Sequence, residues 1–382
     1  MKRVRDLGKI GIFSFVLVGL VAGCGDRKEA IKQPPVKQER EIVQKGLETS
    51  ERIAATFMKK HDYWQSYPVD LGLESLLHLY EATSNPSYLE HVLKVWRFRK
   101  EDPAKTLNWK IMFTNLHWET YAATKNRNYV SRLPQVAIDF KKASPKDRDG
   151  AATYPNDLAK KQIFIDMLCG YAVMMSRAGE LGGDASFFDE CVGQYVVFRK
   201  ILRDPTTGLW HHGRVLKPTE KIYPHGWARG QGWVLRGMVD SLECIPKSHP
   251  KRVVLRNMLE EFASDLVKYQ DANGMWHQMM HEPDTYPETT GTGFVVYYLF
   301  KAMWMGDLDK RVFLGAAQKG ALALTNYVDE NGAVSNACAG TPLLEDIEEY
   351  RHRPCPKGEM HGVGTVMMGC LAPALAEKKG VR

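Results

Sequence analysis

The sequence predicts an all-α protein, with six apolar helices forming an inner ring and six more polar helices an outer one. Three observations carry this. Helical hairpins recur along the chain, an apolar helix alternates with an amphipathic one, and strand-type alternation is nearly absent. The recurrence is plainest in LESLLHLYEATSNPSYLEHVLKVW from Leu73, NLHWETYAATKNRNYVSRL from Asn115 and VMMSRAGELGGDASFFDECVGQYVVF from Val173. Each reads as an apolar helix, a short Asn, Gly or Ser break, and an aromatic residue opening a second helix. Looser copies follow in GWVLRGMVDSLECIPKSHPKRVVLRNMLEEFASDLVKYQ and FVVYYLFKAMWMGDLDKRVFLGAAQKGALALTNYV.

Taken in order, a first helix over roughly residues 46–60 has no partner before it, and the last, GTVMMGCLAPALAE, has none after it. The apolar helices start near 68, 110, 163, 230, 289 and 361. Uneven repeat lengths favour closure into an (α/α)6 barrel over an open solenoid, whose repeats are more uniform. The long connections follow the outer helices and carry TGLWHHG (207–213), NGMWHQ (273–278) and NGAVSNACAGT (331–341). Function is therefore expected at the one mouth where these loops gather.

The N-terminus lies outside this pattern. Lys2, Arg3, Arg5 and Lys9 precede IGIFSFVLVGLVAG, which ends at Cys24. A basic start, an apolar stretch and small residues before a cut describe an export signal over residues 1–23. Val21-Ala22-Gly23-Cys24 resembles the lipobox of bacterial lipoproteins, so Cys24 is expected to carry lipid and hold the protein at the cell envelope, on its periplasmic or outer side. Residues 24–44, polar and with a Pro-Pro pair, read as a flexible tether, and residues 45–382 as the barrel.

Loss of residues 1–23 takes away four basic side chains and one acidic one, moving the formal charge from +7 to +4. No basic block remains, and nucleic acid is not an expected partner. Cys169, Cys191, Cys244 and Cys370 fall in apolar helical patterns and read as buried thiols. Cys338 and Cys355 lie in loops, where pairing stays open. His277 and His281 are four apart and His211 and His212 adjacent, but neither pair has a third ligand at metal-site spacing. No metal and no cofactor is expected.

Two stretches can carry chemistry. In HGWARGQGW (225–233), Trp227, Arg229 and Trp233 share nine positions with three glycines. This reads as a loop feeding a helix, its cation and aromatic faces suited to a ligand with a carboxylate and an apolar ring face. A buried tryptophan pair with a structural arginine fits the same nine residues. Asp166 lies in QIFIDMLCGYAVMM, an otherwise apolar helix. A carboxyl there is paired, protonated or catalytic, since isolated charge burial is costly. Desolvation favours the protonated form that a general acid needs.

IFIDML, TGLWHHG, WARGQGW, NGMWHQ and PETTGTGF occur in an order that resembles the unsaturated uronyl hydrolases, glycoside hydrolase family 105 and its relative family 88. The resemblance runs from about residue 46 to the C-terminus, and W-x-R-G-x-G-W is its most specific part. It implies an (α/α)6 barrel that removes a 4,5-unsaturated uronic acid from oligosaccharides left by polysaccharide lyases. It further implies that Asp166 is proton donor and water activator, that Trp227, Arg229 and Trp233 take the ring and carboxylate, and that His212 hydrogen-bonds the sugar. Asn108 stands where family members often carry a second aspartate, and an amide cannot ionise. The resemblance favours an unsaturated rhamnogalacturonyl hydrolase; an unsaturated glucuronyl hydrolase on another polysaccharide and a non-catalytic glycan-binding lipoprotein are the alternatives, and an epimerase or lyase of the same barrel would need a different His/Tyr set. Glu288 is expected to cap or brace the fifth inner helix rather than donate protons, and His277 either lines the pocket or hydrogen-bonds within its loop. Aglycone and oligomeric state stay open.

Overall fold

The computed structural model describes residues 36–59, 66–99, 115–155 and 158–381. Its order is α1 (Val36–Phe57), α2 (Tyr67–Thr83), α3 (Pro86–Phe98), α4 (Asn115–Thr124) and α5 (Leu133–Ala143). A short strand β1 (Ile163–Phe164) precedes α6 (Val173–Gly182), which a π-helical turn, Leu168–Ala172, extends at its N-terminus. Then come α7 (Ala185–Leu202), β2 (Gly213–Val215), β3 (Lys221–Ile222), α8 (Ala228–Cys244) and α9 (Arg252–Val267). The chain closes with α10 (Thr289–Trp304), α11 (Lys310–Leu324), the single turn-and-a-half α12 (Ile347–Arg351) and α13 (Met360–Lys378).

Burial sorts these helices into the two expected rings. Every residue of α10 from Thr289 to Met303 is buried, whereas outer α3 buries only Tyr88, Val92, Val95 and Trp96. That i, i+4, i+7, i+8 spacing is one stripe of a helix lying on a core. Around the inner ring α2 packs on α4, α8 on α6 and α10, and α13 on both α10 and α2. Between α4 and α6 the ring closes through side chains. Arg177 donates to Asn115 Oδ1 at 3.2 Å and its guanidinium lies 4.9 Å from the centre of the Trp118 ring. The Asn, Gly and Asp breaks between paired helices are caps. Asn85 and Asp184 accept from Ser87 N and Ser186 N, and Gly183 ends α6 at φ 69°.

Deep inside the ring Glu74 and Asp240 are paired. Arg236 grips both Glu74 oxygens at 2.7 and 2.8 Å. Asp240 accepts from Lys301 Nζ at 2.8 Å and from Asn115 Nδ2 at 3.0 Å. Attraction to Lys301, Arg236 and Arg177 outweighs burial and holds the Asp240 carboxyl down at about 2.

Two features depart from the sequence reading, and one point it left open is settled. The tether expected to run to residue 44 is helical from Val36, because Ile42, Ile53 and Phe57 of α1 are buried against the barrel. A three-stranded antiparallel sheet exists, ordered β1-β2-β3, with Phe164 opposite Gly213 and Arg214 opposite Ile222. Its strands are two or three residues long, too short for a period-2 pattern to register. Cys338 and Cys355 are both free thiols. The four helical cysteines are buried as expected. Cys24 and the export signal lie outside the described residues. No helix among the described residues is long and apolar enough to cross a membrane.

Candidate active site

The small sheet is what brings the predicted site residues together. Pairing of Phe164 with Gly213, continued by Ile165 N donating to His212 O at 3.0 Å, sets Asp166 beside His212. Asp166 opens the third inner helix, two residues ahead of the π-helical turn, an irregularity common at functional positions. Its Oδ2 lies 3.5 Å from His212 Nε2, and the carboxylate is 15% exposed. That oxygen is buried with no hydrogen-bond partner. Buried acceptors are normally satisfied, so an open one marks a group kept for something else.

His212 is fixed from two sides. The Tyr350 hydroxyl, which accepts Leu344 N–H at 3.1 Å, bonds His212 Nδ1 at 2.6 Å. With that hydroxyl donating, the ring carries its proton on Nε2, facing Asp166. The Trp227 ring covers the imidazole at 4.4 Å between centroids.

Trp227, Arg229 and Trp233 come from one helical segment, not from a loop. Trp227 caps α8, Arg229 lies in its first turn, and all three are buried. The glycines between them are helical and make room. A Cβ at Gly230 would come within 2.6 Å of the Trp227 ring, and one at Gly232 within 2.7 Å of Phe294 Cβ. Arg229 therefore does not stand in a wet cavity, as its apparent loop position suggests. It is 1% exposed, donates to Cys338 O and to Ala339 O at 2.8 Å, and stacks 4.9 Å over Trp227. Its hydrogen-bond partners among the described residues are carbonyls and hydroxyls, with no carboxylate. The buried charge thus stays uncompensated by any ion pair among them. Trp233 packs on Phe294 at 4.5 Å and Tyr67 at 6.1 Å, so both tryptophans serve as walls.

Three residues at this mouth escaped the sequence reading. Tyr67, at the start of α2, meets His361, at the start of α13, with centroids 5.0 Å apart. Burial, with the Asp166 charge adding to it against Arg229, pushes the Tyr67 hydroxyl up to about 12. Burial and Arg229 push His361 down to about 4, against the pull of Glu359. Their positions at inner-helix starts were the only signal, the same one that Asp166 gives. Tyr350 gave none, for it reaches His212 across 138 positions. Glu288 caps α10, accepting from Thr290 N at 3.0 Å and Gly291 N at 2.6 Å, and His277 bonds Asp271 at 3.0 Å within its loop. Asn108 lies outside the described residues.

The starts of α2, α6, α8, α10 and α13 carry Tyr67, Asp166, Arg229, Thr290 and His361. Their dipoles add positive potential to that of Arg229, which suits an anion. An (α/α)6 barrel whose mouth joins an open carboxylate, a fixed imidazole and aromatic walls defines a protein built to act on an acidic sugar. Comparison gives the family: residues 39–372 match the model of Glycosyl Hydrolase Family 88, and the chain belongs to it. The unsaturated rhamnogalacturonyl hydrolase YesR of Bacillus subtilis is 25% identical over 325 residues, 83% of this chain and 92% of that one. A C. acetobutylicum glycoside hydrolase from family 105 superposes with TM-score 0.73 at 21% identity, over 85% of this chain and 98% of that one. The unsaturated glucuronyl hydrolase of Bacillus sp. GL1 does so with TM-score 0.65 at 15% identity, over 87% and 96%.

Proposed function

We propose that this protein hydrolyses oligosaccharides left by polysaccharide lyases, removing the 4,5-unsaturated uronic acid from the non-reducing end. The observation that carries the reading is Asp166, with one buried oxygen unpartnered and His212 Nε2 3.5 Å away. Protonated, Asp166 gives its proton to C4 of the enol ether. As carboxylate, it then takes a proton from the water that adds at C5. The resulting hemiketal opens to a ketone, its ring oxygen becomes a hydroxyl on C1, and that hemiacetal expels the aglycone. No displacement occurs at C1, so a second carboxylate at glycosidase spacing is not required.

Arg229 and the helix starts supply the positive potential for the uronate, and Trp227 and Trp233 shape the walls. Likeness to YesR along most of both chains supports an unsaturated rhamnogalacturonyl substrate. Incubation with lyase products of several polysaccharides, followed by loss of ultraviolet enol absorbance, tests the reading. Loss is expected with rhamnogalacturonan fragments. Binding of these fragments without loss would make the protein a glycan-binding one. The signal-like N-terminus supports export and lipidation at Cys24. Cys24→Ser is expected to leave the membrane fraction, and its retention there at high salt would overturn the anchor.

A further inference from the structure

A second cluster stands directly behind the site, on residues that the reaction does not use. Asp204, His211 and His225 each offer one ligand atom, and the three atoms lie within 4.8 Å of one another. The fold builds this cluster by backbone pairing. His211 and His225 face each other in an antiparallel bridge, which puts their side chains on one side, with ring centroids 5.1 Å apart. Asp204 N donates to Leu209 O at 2.9 Å, folding the turn back so that its carboxylate joins them.

Each of the three groups keeps an atom open to a ligand. His211 Nδ1 meets Tyr223 O at 2.6 Å. A carbonyl can only accept, so the proton sits on Nδ1 and the Nε2 lone pair is free. That backing carbonyl is the usual support of a metal-bound imidazole. Asp204 Oδ1 is used by Thr206 N, Thr207 N and Thr207 Oγ1 at 2.8 to 3.0 Å, while Oδ2 has no hydrogen-bond partner among the described residues. His225 Nε2 is buried and also without a partner. His281 stacks on His225 at 4.3 Å and 14°, holding the ring in plane. The other His/carboxylate group, Glu74–His78–Glu119, differs because Arg236 already occupies both Glu74 oxygens.

We propose that Asp204, His211 and His225 form a structural binding site for a divalent cation of the Zn2+ type. Two imidazoles and one carboxylate suit a borderline ion, with water as fourth ligand. Bonds of roughly 2.0–2.2 Å require ligand atoms closer than the present spread of up to 4.8 Å, so binding has to draw the three side chains together. The ion ties the turn after α7 to the segment before α8. His212 and Trp227 lie one and two residues beyond its ligands, so it stiffens the wall of the site without touching substrate.

The test is titration of EDTA-stripped protein with Co2+, read by the visible absorption of a four-coordinate ion, followed by displacement with Zn2+. One equivalent is expected, together with a rise in Tm on adding Zn2+. Asp204→Asn keeps the Oδ1 bonds of the turn and removes the anionic ligand. It and His225→Ala should bind at least roughly 100-fold more weakly, beyond what outer-shell changes cause. His277→Ala, in the neighbouring loop, should bind as the parent does. Absence of a stoichiometric complex, or equal affinity in folded Asp204→Asn, would overturn the site. Hydrolysis is not the readout, so these outcomes stand apart from the activity proposed above.

Discussion

Asp166 and Asp240 are both aspartates on inner helices of one barrel, and the protein treats them in opposite ways. Asp240, deep in the ring, is held by Lys301 at 2.8 Å, Asn115 at 3.0 Å and Tyr298 at 3.4 Å, with Arg236 Nε also 3.4 Å away. Asp166, at the mouth, keeps one buried oxygen without a hydrogen bond, with the His212 imidazole 3.5 Å away. The difference teaches how to sort charge in a buried ring. Paired charges fix the helices relative to each other, and an unpaired one is available for chemistry. The largest expected effect separates the two. Asp166→Asn should lower kcat by about 10²–10⁴-fold, the scale of general acid–base participation. It breaks no ion pair with a permanent cation, so Tm should hold. Near-parent turnover in this variant would remove Asp166 from the mechanism.

Asp240→Ala should do the reverse. It removes the carboxylate that Lys301, Arg236 and Arg177 share, leaving Arg236 with Glu74 and Lys301 with Glu243 but Arg177 without its nearest anion, at a cost of about 3–5 kcal/mol, read by denaturant unfolding. The same pair predicts acid behaviour. The folded carboxyl sits at about 2, below its ordinary 3.8. Its contribution is therefore complete above the unfolded value and is lost as pH falls from about 4 towards 2. Parent protein should lose stability across that window, and Asp240→Ala should lose less. Equal acid sensitivity in both would mean that the network is not where stability resides.

Arg229 tests which side of this division a third charge belongs to. Its fork holds the carbonyls of Cys338 and Ala339 beside the Thr290 and Thr341 hydroxyls, so Arg229→Lys gives up at least one of these charged hydrogen bonds. A loss of about 1.5–3 kcal/mol in unfolding free energy is expected. KM should rise as well, because the 338–341 loop and the Trp227 face move together. A lowered Tm with unchanged KM would confine Arg229 to bracing. A raised KM at constant Tm would return it to direct contact with the uronate.

What could be read in the sequence follows the range of the interactions. Helix periodicity and caps are local, so the ring and its starts near 68, 230, 289 and 361 fall within two residues of α2, α8, α10 and α13. QIFIDMLCG and GMVDSLEC look alike as aspartates in apolar helices; Arg236, four positions before Asp240, is a local difference, but Lys301, Asn115 and His212 lie dozens of positions from the aspartates that they meet. Gly230 and Gly232 imitate a loop, yet each is helical and spares space for an aromatic ring. The third ligand of His211 was invisible because Asp204 and His225 reach it through folded turns, not at fixed spacing.

Tyr350 gives the smallest effect and the sharpest test of how the mouth is organised. It comes from the short helix α12, and its hydroxyl is the one hydrogen bond to His212 Nδ1 among the described residues. Tyr350→Phe removes that bond and the acceptor for Leu344 N–H but keeps the ring against Trp227. A neutral hydrogen bond contributes about 1 kcal/mol, so stability should fall by that order. Without the hydroxyl, His212 can rotate or change tautomer, and Nε2–H no longer faces Asp166 as a matter of course. If that orientation supports proton transfer, kcat should drop roughly ten-fold, about 1.4 kcal/mol of barrier, while KM changes little. His212 serving only to bind sugar predicts the opposite split, with KM raised and kcat kept. Measured beside Asp166→Asn, the two outcomes decide whether the imidazole belongs with the reacting acid or with the walls.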